Sequence, residues 1–117
     1  VVASKTGLKQ SPRQIRRGNI QIPRERIAEF CRAHGIKKLS FFGSVLREDF
    51  TSKSDVDILV EFEPGTIIGF IGLAGLEIEL SKILGHRVDL RTPADLSRYF
   101  RQKVLDRAEI QYVSEGG

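Results

Sequence analysis

The 117-residue chain predicts an α/β (α+β) domain, a small mixed β-sheet flanked by helices. Three observations carry that expectation. Strict alternation marks a strand from Val56 to about Glu61, with Val56, Ile58 and Val60 on one face and Asp57, Leu59 and Glu61 on the other. Stripes at helical spacing lie on either side of it, one through Ile27, Phe30, Cys31 and His34 and one through Leu73, Leu76, Leu80 and Ile83 or Leu84. Gly and Pro punctuate the boundaries, and the chain is 40% apolar and 29% charged, which suits one small globular unit.

Taken in order, residues 1–22 read as a basic leader, expected to be solvated and disordered. Lys5, Lys9, Arg13, Arg16 and Arg17 fall within its first twenty residues without a single acid. Removing those five charges from the net +4 leaves the remainder at −1, so the basicity belongs to the leader and not to the body. Nucleic acid is therefore not the default partner of the folded part; only the leader could steer towards it. Residues 23–117 are read as the domain. Pro23 suits a first helical turn and Gly35 a left-handed stop, bounding a helix whose buried stripe includes Cys31. That thiol reads as a small core residue, and His34 as a structural histidine favoured by the helix C-terminus.

After a short connection at residues 36–38, Leu39 to Phe42 reads as a brief strand, Ser44 to about Phe50 as a short helix, and Thr51 to Ser54 as a polar loop. Pro64-Gly65 ends the Val56 strand. A helix from about Gly69 to Leu84 is closed by Gly85. Within it Gly69, Gly72 and Gly75 recur every third residue, at about 1 kcal/mol each relative to Ala; either its first turns are loose or another backbone packs closely there. Arg87 to Arg91 gives a third strand with Val88 and Leu90 inward. A final helical segment after Pro93 is expected to turn Leu96, Tyr99 or Phe100, Lys103-Val104 and Arg107-Ala108 past the core, and Ile110 to Val113 to form a short closing strand. One cysteine permits no internal disulfide and points to a reducing compartment, so a cytoplasmic location is expected. No apolar run approaches membrane-spanning length, and the first residues carry no signal-peptide pattern.

The chemistry concentrates between Phe42 and Glu61. Asp55 and Asp57, two apart on a strand, point to one face about 7 Å from each other and can converge on divalent cations. Mg²⁺ takes carboxylate oxygens, water and substrate phosphates, so few protein ligands suffice. Gly43-Ser44 sits ten residues earlier, where a strand gives way to a helix and unpaired N–H groups face outward; such a terminus binds phosphate, and Gly allows close approach. Ser44 is equally suited to plain N-capping. Arg47, three residues on, is expected on the same side of that helix, able to reach the same phosphates. Among further acids, Asp89 is the best third carboxylate, because Glu61 lies roughly 13 Å along the strand from Asp57 and Asp95 reads as a helix N-terminal residue.

Gly43-Ser44, Asp55-x-Asp57, the intervening Arg47 and Val88-Asp89-Leu90 together resemble the minimal nucleotidyltransferases of the DNA polymerase β-like superfamily, over about Ile27 to Val113. The resemblance implies the nucleotidyltransferase fold, with Asp55, Asp57 and Asp89 as catalytic Mg²⁺ ligands, Gly43 and Ser44 holding the triphosphate of ATP, and Arg47 assisting. One departure is Glu48, where many relatives carry glycine. Small members of this kind commonly act as antitoxins paired with a HEPN-type ribonuclease toxin, and the implied activity is transfer of AMP from ATP to a toxin tyrosine. Ile67, Ile68 and Phe70 offer a docking surface for such a partner or, equally, core contacts. Two other functions remain: a non-catalytic module that masks its partner sterically, and nucleotidyl transfer to a small molecule or an RNA end.

Overall fold

The computed structural model describes residues 14–17, 20–47, 50, 51 and 53–114. Two short strands, β1 (Gln14–Arg17) and β2 (Ile20–Pro23), pair antiparallel and lead into α1 (Arg24–Ala33). Then follow β3 (Ile36–Phe42), a 3₁₀ turn (Gly43–Leu46), β4 (Val56–Phe62), α2 (Phe70–Leu84) and β5 (Val88–Arg91). A second 3₁₀ turn (Pro93–Asp95), α3 (Arg98–Arg107) and β6 (Glu109–Val113) complete the described chain. The main sheet has the order β5-β4-β3-β6, with β4 and β5 parallel and the other pairs antiparallel. This is the mixed sheet that the alternation predicts.

One face of the sheet carries the core. From β3, β4 and β5 come Leu39, Phe41, Val56, Ile58, Val60, Val88 and Leu90; from α1 come Ile27, Phe30 and Cys31, and from α2 Leu76, Leu80 and Leu84. Both helical stripes therefore do what their spacing requires. At the end of α1, His34 is the cap and not a helical residue; its ring packs on Phe30, and its Nε2 lies 3.2 Å from Glu79. Gly85 ends α2 at φ 65°, a conformation that a Cβ disfavours. Ser81 and Glu77 of α2 accept the N–H groups of Val88 and Leu90 at 3.2 and 2.8 Å, which fixes β5 against the helix.

Several expectations change. Of the leader expected over residues 1–22, the described residues 14–17 and 20–22 belong to the paired strands β1 and β2, and Ile22 is fully buried in the core, which therefore includes a residue before Pro23. Residues 1–13 lie outside the described residues. The connection at 36–38 is strand: a register shift between Ile36 and Lys38 lets Ile36 and Leu39 both face the core although they are three apart. Where a helix was expected from Ser44, the chain makes a 3₁₀ turn over Gly43–Leu46, after which Arg47 is extended at φ −100°, ψ 155°. The final helix does not pack its apolar residues into the core. No residue of α3 is buried, and Tyr99 and Phe100 are 81% and 62% exposed. It is tied down instead by Arg101, whose guanidinium donates to the carbonyls of Pro93 (2.7 Å) and Leu96 (3.0 Å).

Candidate active site

Opposite the core, the sheet presents Asp57 and Asp89. They are direct register partners on the parallel strands β4 and β5, while Phe42 is the antiparallel partner of Asp57 on β3. The chain leaves β3 through Gly43 at φ +70°, which only glycine adopts without strain. A second constraint reinforces the first: a Cβ on Gly43 would run into the Asp57 carboxylate, whose Cγ would lie 3.2 Å from it. The turn thereby lays the Ser44 N–H over Asp57 Oδ2 at 3.4 Å, and the Ser44 hydroxyl donates to the Asp55 carbonyl at 3.1 Å. Gly43 and Ser44 thus clasp the start of β4 from above.

The three acids have different surroundings. Burial pushes the Asp57 carboxyl above the ordinary aspartate value, and the neighbouring charges of Asp89 and Asp55 add to this; the Ser44 amide and Arg91 pull the other way. Asp55 Oδ1 accepts a hydrogen bond from Arg87 Nε at 2.7 Å. Asp89 accepts two from Arg91, at 3.2 and 3.3 Å. With the outer acids turned to arginines, no group of three or more Asp, Glu, His or Cys side chains is gathered for a metal among the described residues. The chemistry of the donor set nevertheless fits Mg²⁺. It consists of carboxylate oxygens alone, two of the acids being direct register partners on adjacent strands.

Arg47 sits beyond the turn and not on a helix face shared with Ser44. It lines a cleft of about 740 Å³ between the Gly43–Leu46 turn, α3 and the start of β6. Gly43, Leu46, Leu96, Phe100 and Val104 contribute to its walls, as do the cations Lys103 and Arg107. Residues 48, 49 and 52 fall outside the described residues, Glu48 among them.

Sequence reasoning passed over two sets of residues. Arg87 and Arg91 share Asp89's face by simple strand parity, a signal that was readable. Phe100, Lys103, Val104 and Arg107 follow the i, i+3, i+4, i+7 spacing of a stripe, which was assigned to the core and not to a site, whereas it faces the cleft.

Comparison with known proteins gives this geometry a lineage. Residues 24–111 match the nucleotidyltransferase domain family. Putative protein adenylyltransferase MJ0435 of Methanocaldococcus jannaschii is 34% identical over 90 residues, 77% of this chain and 95% of the relative. A minimal nucleotidyltransferase of known structure superposes with a TM-score of 0.61 at 36% identity, covering 73% of this chain and 85% of the other. A likeness of fold alone extends to the complex of a tri-AMPylated Shewanella oneidensis HEPN toxin with MNT antitoxin: TM-score 0.57, 21% identity, 80% and 71% coverage. With a family match spanning most of its length and a strand pair that sets Asp57 beside Asp89 under the Gly43-Ser44 turn, the chain belongs to the nucleotidyltransferase domain family.

Proposed function

We propose that this nucleotidyltransferase is a Mg²⁺-dependent protein adenylyltransferase that transfers AMP from ATP to a tyrosine hydroxyl of a HEPN-type toxin and so serves as its antitoxin. The observation that carries the proposal is the placement of Asp57 beneath the Gly43-Ser44 turn and beside Asp89. The name of the M. jannaschii relative and the toxin–antitoxin complex that shares the fold support the choice of acceptor.

In the mechanism, Asp57 and Asp89 would hold a catalytic Mg²⁺, and Asp55 with Asp57 would hold a second. Bound there, the ions neutralise phosphate charge and lower the acceptor's pKa. The chain's own groups do the positioning. Gly43 lets the backbone approach the triphosphate and Ser44 donates to it. Arg47, Lys103 and Arg107 supply positive charge along the cleft, whose apolar walls offer a surface for the base. The acceptor oxygen attacks the α-phosphorus in line, its proton passes towards the Asp57–Asp89 pair, and pyrophosphate leaves. Incubation with Mg²⁺, α-labelled ATP and the partner tests the reading. Label should appear on the partner, and Asp57→Asn should abolish it.

A second reading, neutralisation by steric masking, is favoured by the apolar surface of α2 and the loop before it. Ile67, Phe70 and Ile71 are each at least 90% exposed and Ile78 is 60% exposed. Under that reading Asp57→Asn would still neutralise the partner in cells.

A further inference from the structure

The strand that carries Asp89 also carries a positive charge on either side of it. Val88 and Leu90 are buried, so the opposite parity of β5 places Arg87, Asp89 and Arg91 together on the acidic face. Arg87 is held in register by its own carbonyl, which accepts the Val56 N–H at 2.8 Å. Its guanidinium meets Asp55 on the adjoining strand, and Arg91 forks onto both oxygens of Asp89. Asp57, between them, has only the long Ser44 amide bond. Each outer acid of the three is thus hydrogen-bonded to its own arginine, while the central one takes no arginine hydrogen bond among the described residues and feels Arg91 only through its charge.

These pairs are built to exchange. The Arg87 and Asp55 side chains are 77% and 48% exposed, and an ion pair so open to solvent is weak. A guanidinium keeps its charge at physiological pH, so on leaving a carboxylate it is ready to take another anion. A triphosphate presents such anions in a geometry that the planar fork matches. Asp55 and Asp89 would have to turn from their arginines to share a cation with Asp57.

We propose that Arg87 and Arg91 are exchangeable counterions of the acidic site: they hold Asp55 and Asp89 against free divalent cations and pass to the nucleotide's phosphates when metal and nucleotide enter together. This rests on the nucleotidyl-transfer reading above. Its consequence is thermodynamic coupling, in which metal alone binds weakly and nucleotide strengthens metal binding, each by the same factor. Arg87 and Arg91 are positioning residues in this scheme, because they act through the carboxylates they hold.

The test uses Mn²⁺ as the metal probe and α,β-methylene-ATP as a nucleotide that cannot be cleaved at the reacting bond. Mn²⁺ binding is measured by electron paramagnetic resonance with and without the nucleotide, for wild type, Arg87→Gln, Arg91→Gln, the double variant and Arg91→Lys. The double variant should bind Mn²⁺ alone at least about fivefold tighter than wild type, and the strengthening of Mn²⁺ binding by nucleotide should shrink by a similar factor. Arg91→Lys, which keeps the charge and loses the fork, should fall between wild type and Arg91→Gln. Unchanged or weaker binding of Mn²⁺ alone in variants with wild-type circular dichroism overturns the inference. If wild type transfers AMP while the arginine variants leave Mn²⁺ affinity unmoved, only the counterion role fails. If wild type binds neither Mn²⁺ nor nucleotide, the nucleotidyl-transfer reading fails with it.

Discussion

Gly43 and Asp57 are joined by a steric fact: the space a side chain would need at position 43 is filled by the carboxylate at 57. Gly43→Ala should therefore fail twice. A left-handed backbone with a Cβ costs about 1–2 kcal/mol, to be read from urea unfolding, and the displaced carboxylate should cut AMP transfer by at least about a hundredfold. Asp57 itself bears a pH signature. Its folded pKa is raised above the ordinary 3.8, so the fold favours the protonated form. That favourable contribution is complete below the ordinary value and is lost as pH rises through the raised one. Asn at this position stays neutral, so Asp57→Asn should melt higher than wild type at pH 7, with the gap closing towards acid. An equal or lower melting temperature at pH 7 would contradict the assignment. Burial likewise pushes the Cys31 thiol up to about 12, and it should react with a thiol reagent only as fast as the protein unfolds. At this scale the sequence was legible where parity alone decides, as for Asp57 and Asp89. It was not legible for Arg47, whose direction depended on a helix that proved to be one 3₁₀ turn.

Among the elements, α2 does most to organise the core. It buries Leu76, Leu80 and Leu84, and its Glu77 and Ser81 fasten β5. Leu80 is fully buried, and Leu80→Ala should destabilise the protein by about 2–5 kcal/mol in chemical denaturation. By contrast α3 contributes no buried residue and should behave as a wall of the cleft. Replacing Lys103 and Arg107 together by Ala should leave the melting temperature nearly unchanged while weakening ATP binding roughly tenfold, as titration calorimetry would show. The two stripes differ in what faces them, and that lies beyond sequence spacing. Phe100 and Val104 sit at core-like intervals, yet they line the cleft beside the Gly43–Leu46 turn. Similarly, Lys37-Lys38 broke the alternation of β3 because the register shift that restores it depends on pairing with β4. Helix stops at Gly35 and Gly85 were readable since a positive φ is a local demand.

For the whole molecule, the sheet divides labour between its faces: helices α1 and α2 with the β1–β2 hairpin on one, acids and cleft on the other. The exposed Ile67, Phe70, Ile71 and Ile78 lie on the loop before α2 and on α2 itself, away from the core stripe. Of the expected Ile67–Ile68–Phe70 surface, Ile68 packs against the core while Ile67 and Phe70 stand free of it. Gly69 and Gly75 face open space and Gly72 faces the Ile68 side chain, so no backbone among the described residues explains the glycine repeat. Large exposed apolar residues mark interaction surfaces. Phe70→Asp should leave stability within about 0.5 kcal/mol and weaken partner binding at least tenfold in a pull-down titration. The fold class was open to sequence because alternation and stripes are periodic properties. The acceptor was not, since its recognition is a property of two chains. Mass spectrometry of the partner after incubation with Mg²⁺ and ATP tests the central claim most directly. The account predicts a mass increase of one or more AMP units on a tyrosine with wild type and none with Asp57→Asn. An unmodified partner with wild type, or equal modification with both proteins, would contradict it.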